Sequence, residues 1–337
     1  MSSREDKRWI EQAKEKVLAN AKATDSYEKE LIFLYEESAK RIETEIASMY
    51  GKYAKDNKLT NAEALKMLSG QEHSQWKKSI EAYMEDVKKE GKDSRTLLEL
   101  NTLSAKSRIS RKELLLANTY QNMMTLAHES STKLSGFLGN VLQTNYYRNC
   151  YNVQQGLGIG FSVQRINEKR LKQILEFPWS RKTFSKTLWE DTDTLAALAK
   201  REITIGFING SSVQKMAKSI NDIMDKGRVA AKRLVRTECS YFANQGDMIS
   251  YQEMGIEEYE LLGAGCEICQ ALNGVKTKVS EAEVGINLPP IHPNCKCTTK
   301  SVHTIDLFNL KPDANPLASN VKFQEWKEKY IKQMEES

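Results

Sequence analysis

Five side chains suited to metal binding lie close together near the C-terminal end of the sequence. They are Cys266, Cys269, His292, Cys295 and Cys297. A Cys-x-x-Cys turn lets two thiolates bind one ion, and a second short cluster completes a tetrahedral site. Zinc suits mixed thiolate and imidazole ligands and brings no redox chemistry. The spacing therefore predicts a zinc site.

The cluster offers five candidate ligands for four places. Cys266 and Cys269 form the first pair, and Cys295 is the expected third ligand. His292 and Cys297 compete for the fourth place, and the spacing does not choose between them. Four protein ligands would make the zinc structural, because a catalytic zinc keeps one position open for water or substrate.

Two other interpretations of the cluster stay open at this stage. The cysteines could form a disulfide or stay as free thiols, and no metal would then be bound. Alternatively, three protein ligands and a water would form a catalytic site, which needs a general base. Glu267 and Glu281 are weak candidates for that base.

The composition limits the compartment and the partners. The net charge of +5 arises from 50 basic and 45 acidic residues, which permits contact with DNA but does not require it. No apolar run approaches the roughly 18 residues of a membrane-spanning helix. The polar segment Met1–Arg8 predicts that no signal peptide is cleaved, so the protein starts in a reducing cytoplasm. Clustered cysteines there favour metal over disulfides.

Long helices are expected to position this cluster. Apolar residues recur with the 3.6-residue helical period at Leu31, Leu34, Tyr35, Ala39, Ile42, Ile46, Met49 and Tyr50. Proline is absent from the first 177 residues, so long uninterrupted helices are possible. The composition changes near Gly156–Gly160, which we interpret as a flexible connection or a small-residue contact. We therefore predict a helical N-terminal region at 1–155.

The second predicted region, 156–305, is helical before it reaches the cysteines. A helix is expected over roughly Lys186 to Phe207, and Asn209–Ser212 ends it and caps the next helix. That helix should stop at Lys226–Gly227, and a further long helix should run from about Arg228 to Met254. A third region, 306–337, is predicted to be a tail with a short helix.

Glu238 occupies an unusual place on the last of these helices. It falls near the centre of an apolar stripe that comprises Ala231, Leu234, Val235, Tyr241, Phe242 and Ile249. Arg233, Arg236, Ser240 and Asn244 are expected on the other side. A buried carboxylate must find a donor or stay neutral. We therefore predict a buried hydrogen bond that fixes helix packing; catalysis by Glu238 is the alternative.

Beyond the helices, the sequence predicts a small β-containing element around the cysteines. Tyr259–Leu262 is expected to form a short strand, Asn273–Gly274 is a hairpin signal, and Val275–Val279 alternates as a strand does. The predicted fold is mainly α with a small α+β C-terminal module. That module is a hairpin-rich, zinc-ribbon-like Cys/His element.

One ordered set of motifs resembles a known family. The set is Arg236-Thr237-Glu238, Asn244, Tyr251, Gly255, Cys266-x-x-Cys269, Asn273-Gly274, Pro289-Pro290 and His292-Pro293-x-Cys295-x-Cys297. Over roughly residues 160–300 the chain is similar to the phage Mu F-like and SPP1-type minor head proteins, also called head morphogenesis proteins. Lys296 stands where arginine is usual in that family, and Leu261–Leu262 replaces a frequent aromatic residue.

This resemblance implies a virion protein of phage or prophage rather than an enzyme. It implies a place inside the head at the portal vertex, assembly in the host cytoplasm, and delivery into the host with the DNA. The implied partners are the portal, scaffold and major capsid proteins, with no membrane partner. The resemblance also implies a structural family motif, which consists of Arg236, Thr237, Glu238 and Asn244. It implies no catalytic residue and no residue that binds an organic cofactor.

Two other classes of function compete with this interpretation. One is a zinc-stapled protein that binds phage DNA without sequence specificity, with an affinity that falls steeply with salt. The other is a nuclease or toxin-like enzyme, since relatives of the family sometimes carry such a domain after the Cys/His module. The 37 residues that follow Lys300 in this sequence of 337 are too few for one, so we expect no enzyme.

Overall fold

The computed structural model describes residues 3–56, 111–157, 163–209, 211–263, 265–305 and 321–328. Five long or medium helices dominate these ranges: α1 (Ser3–Asp56), α2 (Arg111–Leu157), α3 (Glu168–Leu175), α4 (Phe184–Ile208) and α5 (Val213–Glu253). Residues 323–328 are also helical. The prediction of a mainly α chain with a small α+β C-terminal module is thereby confirmed. No helix in the described ranges is long and apolar enough to cross a membrane.

The chain divides into two compact units, each assembled from separated segments. Unit 1 comprises residues 1–30, 132–186 and 231–337, and unit 2 comprises 31–131 and 187–230. The sequence-based regions 1–155, 156–305 and 306–337 stay a prediction. Most of the tail lies outside the described residues, and so does the stretch 158–162. This stretch includes three of the five residues of the glycine-rich connection Gly156–Gly160.

Unit 2 buries the apolar stripe that the sequence predicted on α1. All eight of its members are buried, and Ile42 and Ile46 have no exposed surface. Tyr50 stacks on Phe207 of α4, with ring centroids 5.3 Å apart. The helical period of the sequence therefore identified a real core face.

The predicted helix stop at Lys226–Gly227 is wrong, because α5 runs without a break from Val213 to Glu253. Gly227 lies inside the helix and is buried. A Cβ at this position would lie 2.5 Å from Leu195 Cδ1 and 2.8 Å from Tyr35 Cε1. Glycine costs an isolated helix about 1 kcal/mol relative to alanine. At position 227 the close packing of the helices requires glycine. The tertiary contacts therefore override the tendency of Lys226–Gly227 to end a helix.

Unit 1 uses glycine in the same way where α5 meets α2. A Cβ on Gly246 would lie 2.5 Å from the carbonyl oxygen of Leu142 and 3.0 Å from the amide nitrogen of Tyr146. Gly156, near the end of α2, leaves room for Arg8 and Trp9 of α1. The small-residue contact suggested at Gly156 is therefore present, and it lets these helices approach closely.

A three-stranded antiparallel sheet follows α5 in unit 1. β1 (Ile256–Leu262) is central, between β2 (Lys276–Lys278) and β3 (Thr298–Ile305). A short helix, α6 (Glu267–Ala271), lies in the chain between β1 and β2, and a 3-10 turn (Val279–Glu281) follows β2. The two predicted strands are confirmed, although α6 lengthens the hairpin connection that Asn273–Gly274 suggested. The two connections between these strands carry the two halves of the cysteine cluster.

Candidate metal centre

The first cysteine pair is positioned by the start of α6. Cys266 is the N-cap residue of this helix, and its Sγ accepts a hydrogen bond from the backbone N–H of Cys269 at 3.4 Å. Gly263 makes room for the pair, because a Cβ there would collide with the carbonyl oxygen of Cys269. The Gly263 N–H donates to Asn273 Oδ1 at 3.0 Å. This bond joins the residue after β1 to the turn that follows α6.

His292 brings an imidazole to these two thiols. Its Nε2 lies 3.2 Å from Cys266 Sγ and 3.1 Å from Cys269 Sγ. Its Nδ1 lies 2.8 Å from the carbonyl oxygen of Pro293, so a proton on Nδ1 has an acceptor. That tautomer leaves the lone pair of Nε2 directed at the thiols. A backbone carbonyl that orients a metal-binding histidine in this way is common around protein metal sites.

The second half of the cluster adds two buried thiols. Cys295 Sγ lies 3.9 Å from Cys269 Sγ, close to the roughly 3.8 Å between two sulfur ligands on a tetrahedral zinc with 2.3 Å bonds. Among the described residues, two overlapping groups could hold a metal ion: Cys266, Cys269 and His292, and Cys269, Cys295 and Cys297. Within each group the ligand atoms lie within 4.8 Å of one another.

All five predicted ligands therefore meet in one place. Cys269 belongs to both groups and has no exposed surface, so it is the central candidate ligand. His292 and Cys297, the two competitors for the fourth place, belong to different groups, and each group contains Cys269. All six cysteines of the chain lie in the described ranges and are free thiols.

The electrostatics of the cluster favour a cation. Hydrogen bonding from Cys297 lowers the pKa of Cys295 to about 5, although burial opposes this shift. The backbone N–H of Cys269 lowers the pKa of Cys266. Burial instead raises the pKa of Cys269 to about 12, so this central thiol stays protonated unless a positive charge binds beside it. A divalent cation supplies that charge and deprotonates the thiols that bind it.

Three residues of the α5 motif form hydrogen bonds with the segments around this cluster. Arg236 forms a bidentate pair with Glu28 of α1, at 2.5 Å and 3.0 Å. Thr237 Oγ1 accepts a hydrogen bond from the Asn294 N–H at 3.0 Å. Asn244 Nδ2 donates to the carbonyl oxygen of Cys297 at 3.4 Å. Asn244 was expected on the side of α5 opposite the Glu238 stripe, and the contact with the Cys/His module leaves it only 2% exposed.

Glu238 is buried as predicted, with 2% of its surface exposed. Trp179 Nε1 donates to its Oε2 at 2.9 Å, and the Trp179 ring stacks on Tyr241 at 4.6 Å. Burial raises the pKa of Glu238 to about 7, and the hydrogen bond from Trp179 acts in the opposite direction. The carboxyl group thus fastens the loop before α4 to α5.

One buried ion pair carries no signal in the sequence. Lys16 of α1 pairs with Asp247 of α5, and both side chains are almost completely buried. Lys16 Nζ also lies 3.4 Å from the carbonyl oxygen of Thr299 in β3. The partners are 231 positions apart in the chain, so no local spacing could have identified them. The pair ties α1 to the strand that follows the ligand loop.

These observations define a class: helical proteins in which a long helix carries a small, cysteine- and histidine-rich module that could hold a metal ion. Residues 199–300 match the family described as Phage Mu protein F like protein. The match includes the α5 motif and all five candidate ligands, and it confirms the resemblance to phage head morphogenesis proteins. No solved structure matches the chain significantly.

The chain is also similar, over part of its length, to a relative whose name describes an enzyme. The chain is 28% identical over 130 residues to the NAD(+)–arginine ADP-ribosyltransferase EFV of Enterococcus faecalis. The aligned segment is 39% of this chain and 26% of the relative, so the chain spans about a quarter of that protein. A likeness of this extent leaves most of the relative without a counterpart here.

Proposed function

We propose that the chain is a minor head protein of a phage or prophage that acts in procapsid assembly at the portal vertex. The observation that carries this proposal is the family match over residues 199–300. The matched segment is also where the distinctive chemistry of the chain lies, in α5 and the Cys/His module. The partners would be the portal, scaffold and major capsid proteins, and the place the interior of the head, with delivery into the host alongside the DNA.

The proposed role is structural, without catalysis. The two sulfur-rich groups surround one buried thiol, Cys269, and supply more protein ligands than a tetrahedral ion needs. Such a donor set fits zinc held entirely by protein, because sulfur and imidazole ligands suit zinc and no position is left for water. The zinc would fasten the Cys-x-x-Cys loop to the His292–Cys297 segment and so keep the small sheet folded.

Fractionation of virions tests the head role. Procapsids and mature heads from the encoding phage or induced prophage are separated on density gradients, and the protein is detected by mass spectrometry. We expect it in both particle fractions, at low copy number relative to the major capsid protein. Its absence from both fractions would contradict the proposal, and a count matching the major capsid protein would contradict the minor role.

ADP-ribosyl transfer is a second candidate function, favoured by the Enterococcus faecalis relative. The purified chain is incubated with labelled NAD+ and polyarginine, and labelled product is measured. The structural role proposed above predicts no transfer. Transfer above a heat-denatured control would favour the enzyme, and the same assay on Glu238→Gln would show whether this buried acid participates.

A further inference from the structure

The hydroxyl group of Thr237 lies between two backbone groups of different elements. It donates to the carbonyl oxygen of Arg233, one turn earlier in α5, at 2.7 Å. It also accepts from the Asn294 N–H at 3.0 Å. Asn294 lies between the candidate ligands His292 and Cys295 and has a positive φ of 61°, a conformation that asparagine tolerates better than most residues. The hydroxyl therefore contacts the turn that separates two ligands.

A second contact of the same kind lies two helical turns further along α5. Asn244 is seven positions after Thr237, which places both residues on one face of the helix. Its Nδ2 donates to the Cys297 carbonyl oxygen at 3.4 Å and to the Ser240 carbonyl oxygen at 2.8 Å. One face of α5 thus contacts the His292–Cys297 segment at two points, the Asn294 N–H and the Cys297 carbonyl oxygen.

We propose that Thr237 is a positioning residue of the metal centre: its hydroxyl fixes the Asn294 turn so that His292 and Cys295 converge on Cys269. This inference rests on the proposed zinc site. Thr237 does not bind the ion. It holds the backbone between two ligands. When the ligands already lie close together before zinc binds, less conformational entropy is lost on binding.

The test compares zinc affinity in three variants of the full chain. Thr237→Val removes the hydroxyl at constant shape, whereas Thr237→Ser retains it. Thr194→Val is the matched control, because Thr194 is exposed on α4 and its hydroxyl donates to the Glu190 carbonyl oxygen in the same helical manner. Zinc affinity is measured by competition with a colorimetric chelator, and far-UV circular dichroism monitors helix content.

We expect Thr237→Val to weaken zinc binding about 10-fold or more, the range found when groups that orient metal ligands are removed. Thr237→Ser and Thr194→Val should bind as the unaltered chain does, with equal helix content in all four proteins. Unchanged zinc affinity in a folded Thr237→Val would overturn the positioning role and leave the zinc site standing. An unaltered chain that binds no zinc with all thiols reduced would overturn both.

A measurement on the unaltered chain covers the case in which Thr237→Val fails to fold. Amide hydrogen exchange of the zinc-loaded protein reports on the Asn294 N–H, which we expect to be protected because it donates to Thr237. Exchange of that amide at the rate of an unstructured peptide would rule out the proposed contact.

Discussion

Replacing Glu238 with glutamine is expected to stabilise the protein at neutral and alkaline pH. The carboxyl group is 2% exposed, and Trp179 is its hydrogen-bond donor at 2.9 Å. Glutamine keeps an oxygen that can accept the same bond, and it carries no charge that burial would penalise. The stabilisation should depend on pH, because the penalty exists only while Glu238 is ionised.

The size and sign of this effect follow from the pKa of Glu238. Burial raises it from 4.5 to about 7, so the folded protein keeps a proton between these values that the unfolded chain releases. The contribution of Glu238 to the free energy of unfolding therefore falls as the pH rises from about 4.5 to about 7, and it stays constant above pH 7. The difference between these two pKa values corresponds to roughly 3 kcal/mol, at 1.36 kcal/mol for each pH unit. Glu238→Gln should remove this pH-dependent loss.

Urea unfolding followed by fluorescence at several pH values between 4.5 and 8.5 measures the difference. Other groups titrate in both proteins alike, so subtracting one curve from the other isolates Glu238. Glu257→Gln is a suitable control, because Glu257 is exposed. Glu238→Gln and the unaltered chain should differ most at pH 8 and converge near pH 4.5. A difference that is constant across this range would refute the argument that burial raises the pKa of Glu238.

Three further changes have defined outcomes. Cys269→Ala should reduce the bound zinc to near zero, because Cys269 is common to both ligand groups. Zinc is measured per chain on protein purified without a His-tag, and retention of a full equivalent would contradict the central place of Cys269. Gly246→Val should lower the melting temperature strongly, since a Cβ would lie 2.5 Å from the Leu142 carbonyl oxygen; an unchanged melting temperature would speak against that close approach. Asp247→Asn should cost about 3–5 kcal/mol in chemical denaturation, because it leaves the Lys16 ammonium buried without its partner. A loss below about 1 kcal/mol would mean that Lys16 reaches water.

Local patterns in the sequence predicted much of this architecture. The apolar period on α1 marks a face that is buried throughout, and α4 begins and ends within two residues of the predicted positions. The period works because a helix can bury one stripe only when its apolar residues recur every three or four positions. The helix-stop signal at Lys226–Gly227 fails, because the cost of glycine in a helix is small. The space that Leu195 and Tyr35 need beside Gly227 is decided by the tertiary packing.

For the candidate metal centre, too, some features were predicted from the sequence and others were decided only by the tertiary structure. Sequence spacing identified the ligand types because a tetrahedral ion needs thiolates and imidazoles in short paired clusters, and all five predicted side chains meet around Cys269. Only the tertiary structure assigned His292 and Cys297 to two different groups that share Cys269. The surroundings of the site likewise depend on contacts between distant parts of the chain, as in Thr237 with Asn294 and Glu28 with Arg236. Ligand chemistry is a property of residue type and spacing, whereas the support of the ligands depends on which helix faces are brought together when the chain folds.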